Sequence, residues 1–440
     1  MKSFYVLLIF FFLLNCSFDD KSGIWKSNNK ISKKNNDLFE KFESISLTQN
    51  KFNKIITLDE NYKFYKTDLF RNFEWRDIFF SKNNKLENYT YNNSNQLIYK
   101  SKKLTKHKIN KYILFEKNNL IASDIKGNVV VFSINEKKKF SELNFYKKRY
   151  KKIDKFLNMI VEENIIYISD NLGFIYAFNY YENKVIWATN YKIPFRSNIK
   201  IFNDKLILAD QNNSLLIVDK NDGKILKTIP SEESVVKNEF KSNIAIYKKN
   251  IIFLNTYGSL YSINIENLKI NWFINLNQSL DINPSNLFTS NELIVSNDKI
   301  YVPTKNNFYI LDFLSGSTIF KKDFTSVFRP LVIKNLIYAI DNNFLIAMNV
   351  ETGDILFSYN INQKISDYLN VKKKMIDIKK IMLADNKIFI FLKNSYILQI
   401  NFNGSISQIT KLREKINSNP IFIDNSILFI NNKNKISIIN

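Results

Sequence analysis

A seven-residue pattern, clearest as Gly173-Phe174-Ile175-Tyr176-Ala177-Phe178-Asn179, recurs eight times in this chain. No other feature constrains the fold so tightly. Its first position is Gly127, Gly173, Asn213, Gly258, Asn306, Asn343, Ser395 and Asn434. These residue types best tolerate left-handed or tight-turn backbone. Two positions on, every copy is apolar: Val129, Ile175, Leu215, Leu260, Phe308, Leu345, Ile397 and Ile436. Five positions on, every copy is apolar again, from Phe132 and Phe178 to Ile439. Six positions on, at the seventh residue, every copy is Ser, Asn or Asp and starts a turn. The copies follow one another at a mean spacing of about 44 residues, which suits a four-stranded propeller blade.

Each unit supplies the rest of such a blade. Apolar runs such as Ile165-Ile166-Tyr167 and Ile251-Ile252-Phe253 precede the pattern, and another strand precedes them through a turn such as Asn203-Asp204. After the pattern comes a hairpin, often with glycine (Gly223, Gly316, Gly353, Gly404), and then a strand. That fourth strand carries a large residue at a fixed offset: Trp187, Trp272, Phe320 or Phe357. The eighth unit reaches Asn440 directly after its third strand, while Gln96-Leu97-Ile98-Tyr99-Lys100 stands unpartnered before the first unit. The expectation is an all-β, eight-bladed β-propeller with four antiparallel strands per blade. An N-terminal strand joins the last blade, closes the ring and removes an exposed edge.

Ahead of the repeats, Lys2 precedes the apolar run Phe4 to Leu14, too short to span a bilayer but right for a signal-peptide core. It stops at Leu13-Leu14-Asn15-Cys16, and Cys16 is the only cysteine of the chain. The reading is a signal peptide over 1–15, a polar lipid-anchored tether over 16–70 and the propeller over 71–440. Cys16 is the lipidation site.

One cysteine and one histidine exclude a disulfide framework, cysteine-based zinc and iron–sulfur sites, and most histidine-based metal sites. The formal net charge of +23 comes from 58 Lys and 6 Arg spread along the whole chain. Arginine is the residue favoured for bidentate phosphate and base recognition, so this is read as a solvated surface and no nucleic-acid partner is expected. Two connections are richer still in lysine, Lys137–Lys152 and Lys372–Lys380. They mark a second reading, a binder of anionic polysaccharide or lipid. Carboxylates such as Asp124, Asp170, Asp210 and Asp341 recur at one strand–turn junction, which is turn chemistry and not a unique catalytic pair.

The unit Gly-x-φ-Tyr-Ala-φ-Asn followed by a Trp strand, at 173–187 and 258–272, resembles the repeat of the PQQ-like propellers. The Leu-Leu-Asn-Cys motif resembles the bacterial lipobox. Together they are similar to the BamB family of outer-membrane assembly lipoproteins. The resemblance implies a non-enzymatic scaffold with no cofactor and no metal, lipid-anchored at the periplasmic face of the outer membrane. Ser17 after the cysteine, where Asp would signal inner-membrane retention, implies the same address. It implies docking on the periplasmic repeats of a BamA-like barrel subunit of the β-barrel assembly (BAM) complex, and assistance to nascent outer-membrane proteins. By the same resemblance the partner-binding residues are Phe195 and Arg196, on the loop after the Trp187 strand, with Glu239 in the next inter-blade loop. The rival reading is a quinone (PQQ)-dependent dehydrogenase. Those enzymes typically add calcium ligands, a ring-stacking Trp and an adjacent cysteine pair, and this chain has no cysteine pair.

Overall fold

Alternating apolar strands joined by tight turns fold into eight antiparallel four-stranded sheets arranged as the blades of a ring. The structure is a computed structural model. It describes residues 16–18, 25–27, 52–232, 241–277, 288–372 and 375–440. The chain divides into two units, 1–50 and 51–440. In the first, Cys16–Phe18 pairs antiparallel with Trp25–Ser27. The expected signal peptide and most of the expected tether lie outside the described residues.

Seven blades are built from consecutive strands. Blade 1 runs Ile109–Glu116, Asn119–Asp124, Asn128–Ser133 and Lys138–Asn144. Blade 2 runs Leu157–Glu162, Ile165–Asp170, Phe174–Asn179 and Lys184–Asn190. Blades 3 to 7 follow in the same order, beginning at Lys200, Asn243, Ile294, Leu331 and Ile378. Blade 8 has three strands from the C-terminal end, Ile421–Ile423, Ser426–Ile430 and Lys435–Ile439. Its fourth is Leu97–Lys103, paired antiparallel with Lys435–Ile439 in the register Leu97↔Ile439 to Lys103↔Lys435. Gln96 and Asn440 exchange backbone hydrogen bonds at the junction. The ring closes as the unpartnered strands in the sequence require.

First strands of neighbouring blades approach one another around the axis, and fourth strands form the outer edges. The second and third strands are almost wholly buried, whereas Lys184–Asn190 alternates exposed and half-buried residues along its length. Turns between strands one and two, and three and four, share one face of the ring, here the turn face. Turns between strands two and three share the other with the inter-blade connections, here the connection face.

The first position of the repeat ends the turn between strands two and three. Seven of its eight residues have positive φ, from 57° at Asn434 to 88° at Gly173. Asn306 is the exception, because Thr304 closes that turn with Asn307 instead. At Gly173 a Cβ would lie 2.9 Å from the backbone nitrogen of Ile193, so conformation and space both demand glycine. The recurrent carboxylates cap the same turns. Asp124 Oδ1 accepts from the backbone nitrogens of Lys126 and Asn128, Asp170 Oδ1 from Leu172 and Phe174, and Asp210 Oδ1 from Asn212 and Ser214.

Blades are latched to one another by the aromatic residue of the fourth strand. Trp187 lies over Gly223 of the next blade and donates from Nε1 to Lys220 O at 3.0 Å. Trp272 covers Gly316 and donates to Phe313 O at 3.1 Å. Phe320 covers Gly353, and Phe357 covers Gly404.

One expected boundary differs from the structure. The body was expected to begin at residue 71, but residues 52–70 already lie on the ring. Phe52 is buried against Phe324 and Phe344, Ile56 forms a β-bridge with Ser358, and Thr67 N donates to Asn386 Oδ1. Apolar anchors set singly among Lys, Asn and Asp carry no strand or helix period, so the sequence reads as tether.

Candidate functional site

The ring axis is filled from the turn face by the chain's own segment, residues 70–91. Trp75 exchanges backbone hydrogen bonds with Phe115 of blade 1, and Val161 N of blade 2 donates to Arg76 O. Ile246 N of blade 4 donates to Lys82 O, and Val295 N of blade 5 to Asn83 O. Tyr89 N donates to Leu383 O of blade 7, and Asp424 N of blade 8 to Asn72 O. Asn84 reaches furthest, donating from Nδ2 to Ile244 O and Leu293 O. The apolar side of this plug is aromatic: Trp75, Phe80 and Tyr89 meet ring to ring, and Tyr89 stacks on Phe422 at 5.6 Å.

Two cations from different blades clamp the plug. Lys200 of blade 3 places Nζ 2.7 Å from Asp77 Oδ2 and 2.7 Å from Ser81 O. Arg329, just before blade 6 and only 1% exposed, donates from Nη1 to Phe79 O and Asn84 O. Both cations lie over the Phe79 ring.

At the connection-face end of the axis the first strands begin, and charged residues gather there. Lys111, Arg196, Lys241, Arg329, Lys379 and Lys380 come from blades 1, 3, 4, 6 and 7 or the connections leading into them. Tyr112 OH is 3.4 Å from Glu292 Oε1. Burial opposes ionisation of Glu292, yet Lys380, Arg329 and Lys241 hold its carboxyl below the usual range. Burial, reinforced by Arg329, lowers the Lys380 amine to about 8. Burial, reinforced by Lys111, does the same at Lys379, also to about 8.

That shift has a measurable sign. The folded amines lose their protons near pH 8, while unfolded lysines hold theirs to about 10.4. Between those values the unfolded chain binds more protons, so stability rises with pH. The urea midpoint is expected to increase from pH 7.5 to 9.5, below the range where unfolded tyrosines ionise. Lys380→Met should raise stability at pH 7 by about 1–2 kcal/mol and flatten that rise. A midpoint that falls over the same window would contradict this account.

The loop Tyr191–Ile199 joins blades 2 and 3 at this mouth. Phe195 N donates to Asp170 O, Arg196 N to Ala209 O, and Ser242 N to Arg196 O, so three blades are stitched through one loop. Asn198 pairs its amide with the backbone of Ile244 in both directions. Phe195 is 2% exposed, wedged among Ile160, Tyr167 and Leu208 between the blades, with Tyr191 edge-on at 5.9 Å. It fixes the loop and presents no side chain to solvent. Arg196 is half-buried at the mouth beside Lys241. Glu239 lies outside the described residues. Cys16 is the first residue of its short strand, with its side chain outside the description.

The plug and its clamps escaped sequence reasoning. The only signal was an apolar cluster, Trp75 to Phe80, standing outside the repeat. Among the described residues no three His, Cys, Asp or Glu side chains come together as a metal-binding group.

A family described as "Outer membrane protein assembly factor BamB" matches residues 114–359, from blade 1 to the end of blade 6. No curated protein matches the sequence. Among solved structures, BamB from Moraxella catarrhalis is similar with a TM-score of 0.60 and 12% identity, over 78% of this chain and 99% of that one. Quinohemoprotein alcohol dehydrogenase from Comamonas testosteroni is similar with a TM-score of 0.61 and 10% identity, over 83% and 80%. The computationally designed Ika8 protein gives 0.59 and 10%, over 78% and 99%. At these identities the likeness is one of fold, and the fold hosts an assembly factor, an enzyme and a designed ring alike.

Proposed function

The chain belongs to the family of outer membrane protein assembly factor BamB, and from that premise we propose a non-catalytic periplasmic scaffold. In this reading Cys16 carries the lipid anchor at the outer membrane. The connection face of blades 2 to 4 docks on the periplasmic repeats of a BamA-like barrel subunit, and the assembly aids insertion of nascent outer-membrane proteins. The observation that carries the non-catalytic reading is the plug: residues 70–91 occupy the axis and are tied to blades all round the ring. Docking rests on the loop Tyr191–Ile199, whose backbone is locked to three blades while Arg196 remains at the surface. A rigid loop ending in a half-exposed arginine suits an interface anchor, because little is lost in ordering it on binding.

Co-purification in mild detergent tests this. The tagged lipoprotein should recover a barrel protein with periplasmic repeats at near-stoichiometric yield. Arg196→Glu should weaken that recovery about tenfold or more, with its thermal midpoint measured alongside to separate docking from folding. Phe195→Ala should lower the midpoint instead, by about 3–5 kcal/mol of stability. Recovery of electron-transfer proteins with no barrel partner, together with alcohol oxidation on adding a quinone cofactor, would replace the scaffold with the enzyme.

A further inference from the structure

The two longest inter-blade excursions in blades 6 to 2 share the connection face and have the same mixed character. Between blades 1 and 2, the stretch after Lys138–Asn144 exposes Lys147, Lys148, Lys151 and Lys152, and with them Ile153 and Phe156. Between blades 6 and 7, the helix Ile361–Leu369 and the turn after it expose Tyr368, Leu369, Val371 and Met375 beside Lys364 and Lys372. Met375 is 78% exposed. Large apolar side chains held in water at the tips of two basic excursions gain nothing from folding.

Neither excursion is loosely attached. Tyr146 OH donates to Asp170 Oδ2 at 2.5 Å, Lys126 pairs with Asp154 at 2.7 Å, and Phe156 N donates to Asn171 Oδ1. The helix buries Ile361, Asn362 and Ser366, Asn360 caps its start, and Asn362 Oδ1 accepts from Ile376 N. The tips are therefore presented in fixed positions. Blades 7, 8 and 1 lie between them, and their connection face adds exposed Lys106, Lys108, Lys393, Lys415 and Lys433. Asp377 and Asp367 are among the few exposed acids there, and Lys393 is 3.8 Å from Asp377.

We propose that this sector of the connection face lies against an anionic phospholipid surface, with its lysines at the headgroups and the two apolar tips in the interfacial layer. Charge complementarity selects the occupant: lysines act as point charges attracted to a negative surface, and flanking aromatic and aliphatic tips suit the headgroup–acyl boundary. The sector borders the Arg196 loop at Asp170, which receives both Tyr146 OH and Phe195 N, but its lysines are not among the docking residues, so the vesicle test reads it separately from docking.

Residues 51–440 form one unit containing the whole ring, and that fragment, which has no Cys16, is the protein to test. Sedimentation with phosphatidylcholine vesicles containing about 30% phosphatidylglycerol should exceed that with pure phosphatidylcholine by tenfold or more, and fall steeply in roughly 0.5 M salt. Replacing Lys147, Lys148, Lys151 and Lys152 together by Glu should cut binding to the anionic vesicles by about tenfold or more. Phe156→Trp should give an indole emission that shifts to the blue on those vesicles alone. Binding that ignores lipid charge, a fourfold glutamate variant that binds as the parent does, or an unshifted indole would each overturn the proposal. So would failure of vesicle binding, an acidic protein surface then being the partner to seek. Thermal midpoints of the variants close to the parent's keep these outcomes from being confused with misfolding.

Discussion

Lys200→Met is expected to destabilise the closed ring by about 3–5 kcal/mol, the usual cost of stranding one half of a buried ion pair. The Lys200 side chain is fully buried and that of Asp77 is 7% exposed, with 2.7 Å between Nζ and Oδ2. Removing the amine leaves Asp77 Oδ2 without its cation, and leaves Ser81 O with only the Asn84 N–H. Asp77 Oδ1 is already committed to Phe79 N at 2.7 Å, so the carboxylate cannot simply turn away. Pairing Lys200→Met with Asp77→Asn removes the charge at both ends and should recover most of the loss, to within about 1–2 kcal/mol of the parent. Urea midpoints give the energies, and limited proteolysis shows where they act. The single variant should be cut first within residues 70–91, because Lys200 acts on the plug and only through it on the blades. A neutral Lys200→Met would mean that the aromatic contacts, Arg329 and the backbone bonds to the blades hold the plug without it.

Trp187→Ala should cost a similar amount, about 3–5 kcal/mol, through the cavity it leaves between blades 2 and 3. The indole also loses its hydrogen bond to Lys220 O. The same latch can be broken from the other side. A Cβ on Gly223 would fall 2.5 Å from the indole ring, at a φ of +75° that side-chain-bearing residues rarely adopt. Gly223→Ala is therefore expected to cost about 2–4 kcal/mol, from strain and overpacking together. The two losses should not add: with the ring gone, alanine at 223 keeps only its backbone strain. Chemical denaturation of the two single variants and the double one measures that coupling. Additive losses would show that Trp187 and Gly223 are not one contact.

How far the sequence could be read depended on whether a feature repeats. The blades were legible because eight copies average out the divergence of any one. The turn position at Gly173 and its equivalents showed itself as a column of Gly, Asn and Ser, and seven of the eight do take the left-handed backbone. Closure was legible because the eighth unit lacked one strand of a sheet and Leu97–Lys103 was one strand without a sheet. Features that occur once left no such mark. The plug packs against all sides of the axis, but its partners lie from about 40 to over 300 residues away and share no local period with it. Phe52 and Ile56 anchor the chain singly, so the stretch they hold reads as linker. Phe195 is a subtler case. A phenylalanine beside an arginine on a loop has the composition of an interface, and only the three-blade backbone stitching shows which of the two is turned inward.

The pairing of Leu97–Lys103 with Lys435–Ile439 also sets the order of events when the chain folds. Hairpins within a blade are local and form early, but the last sheet joins segments separated by nearly the whole ring. Until that loop of more than 300 residues closes, blade 8 lacks its outer strand. The plug needs strands from both halves as well, so the axis stays open for the same interval. Late closure is expected to expose an unpaired strand edge for that interval, and such an edge aggregates or recruits a chaperone.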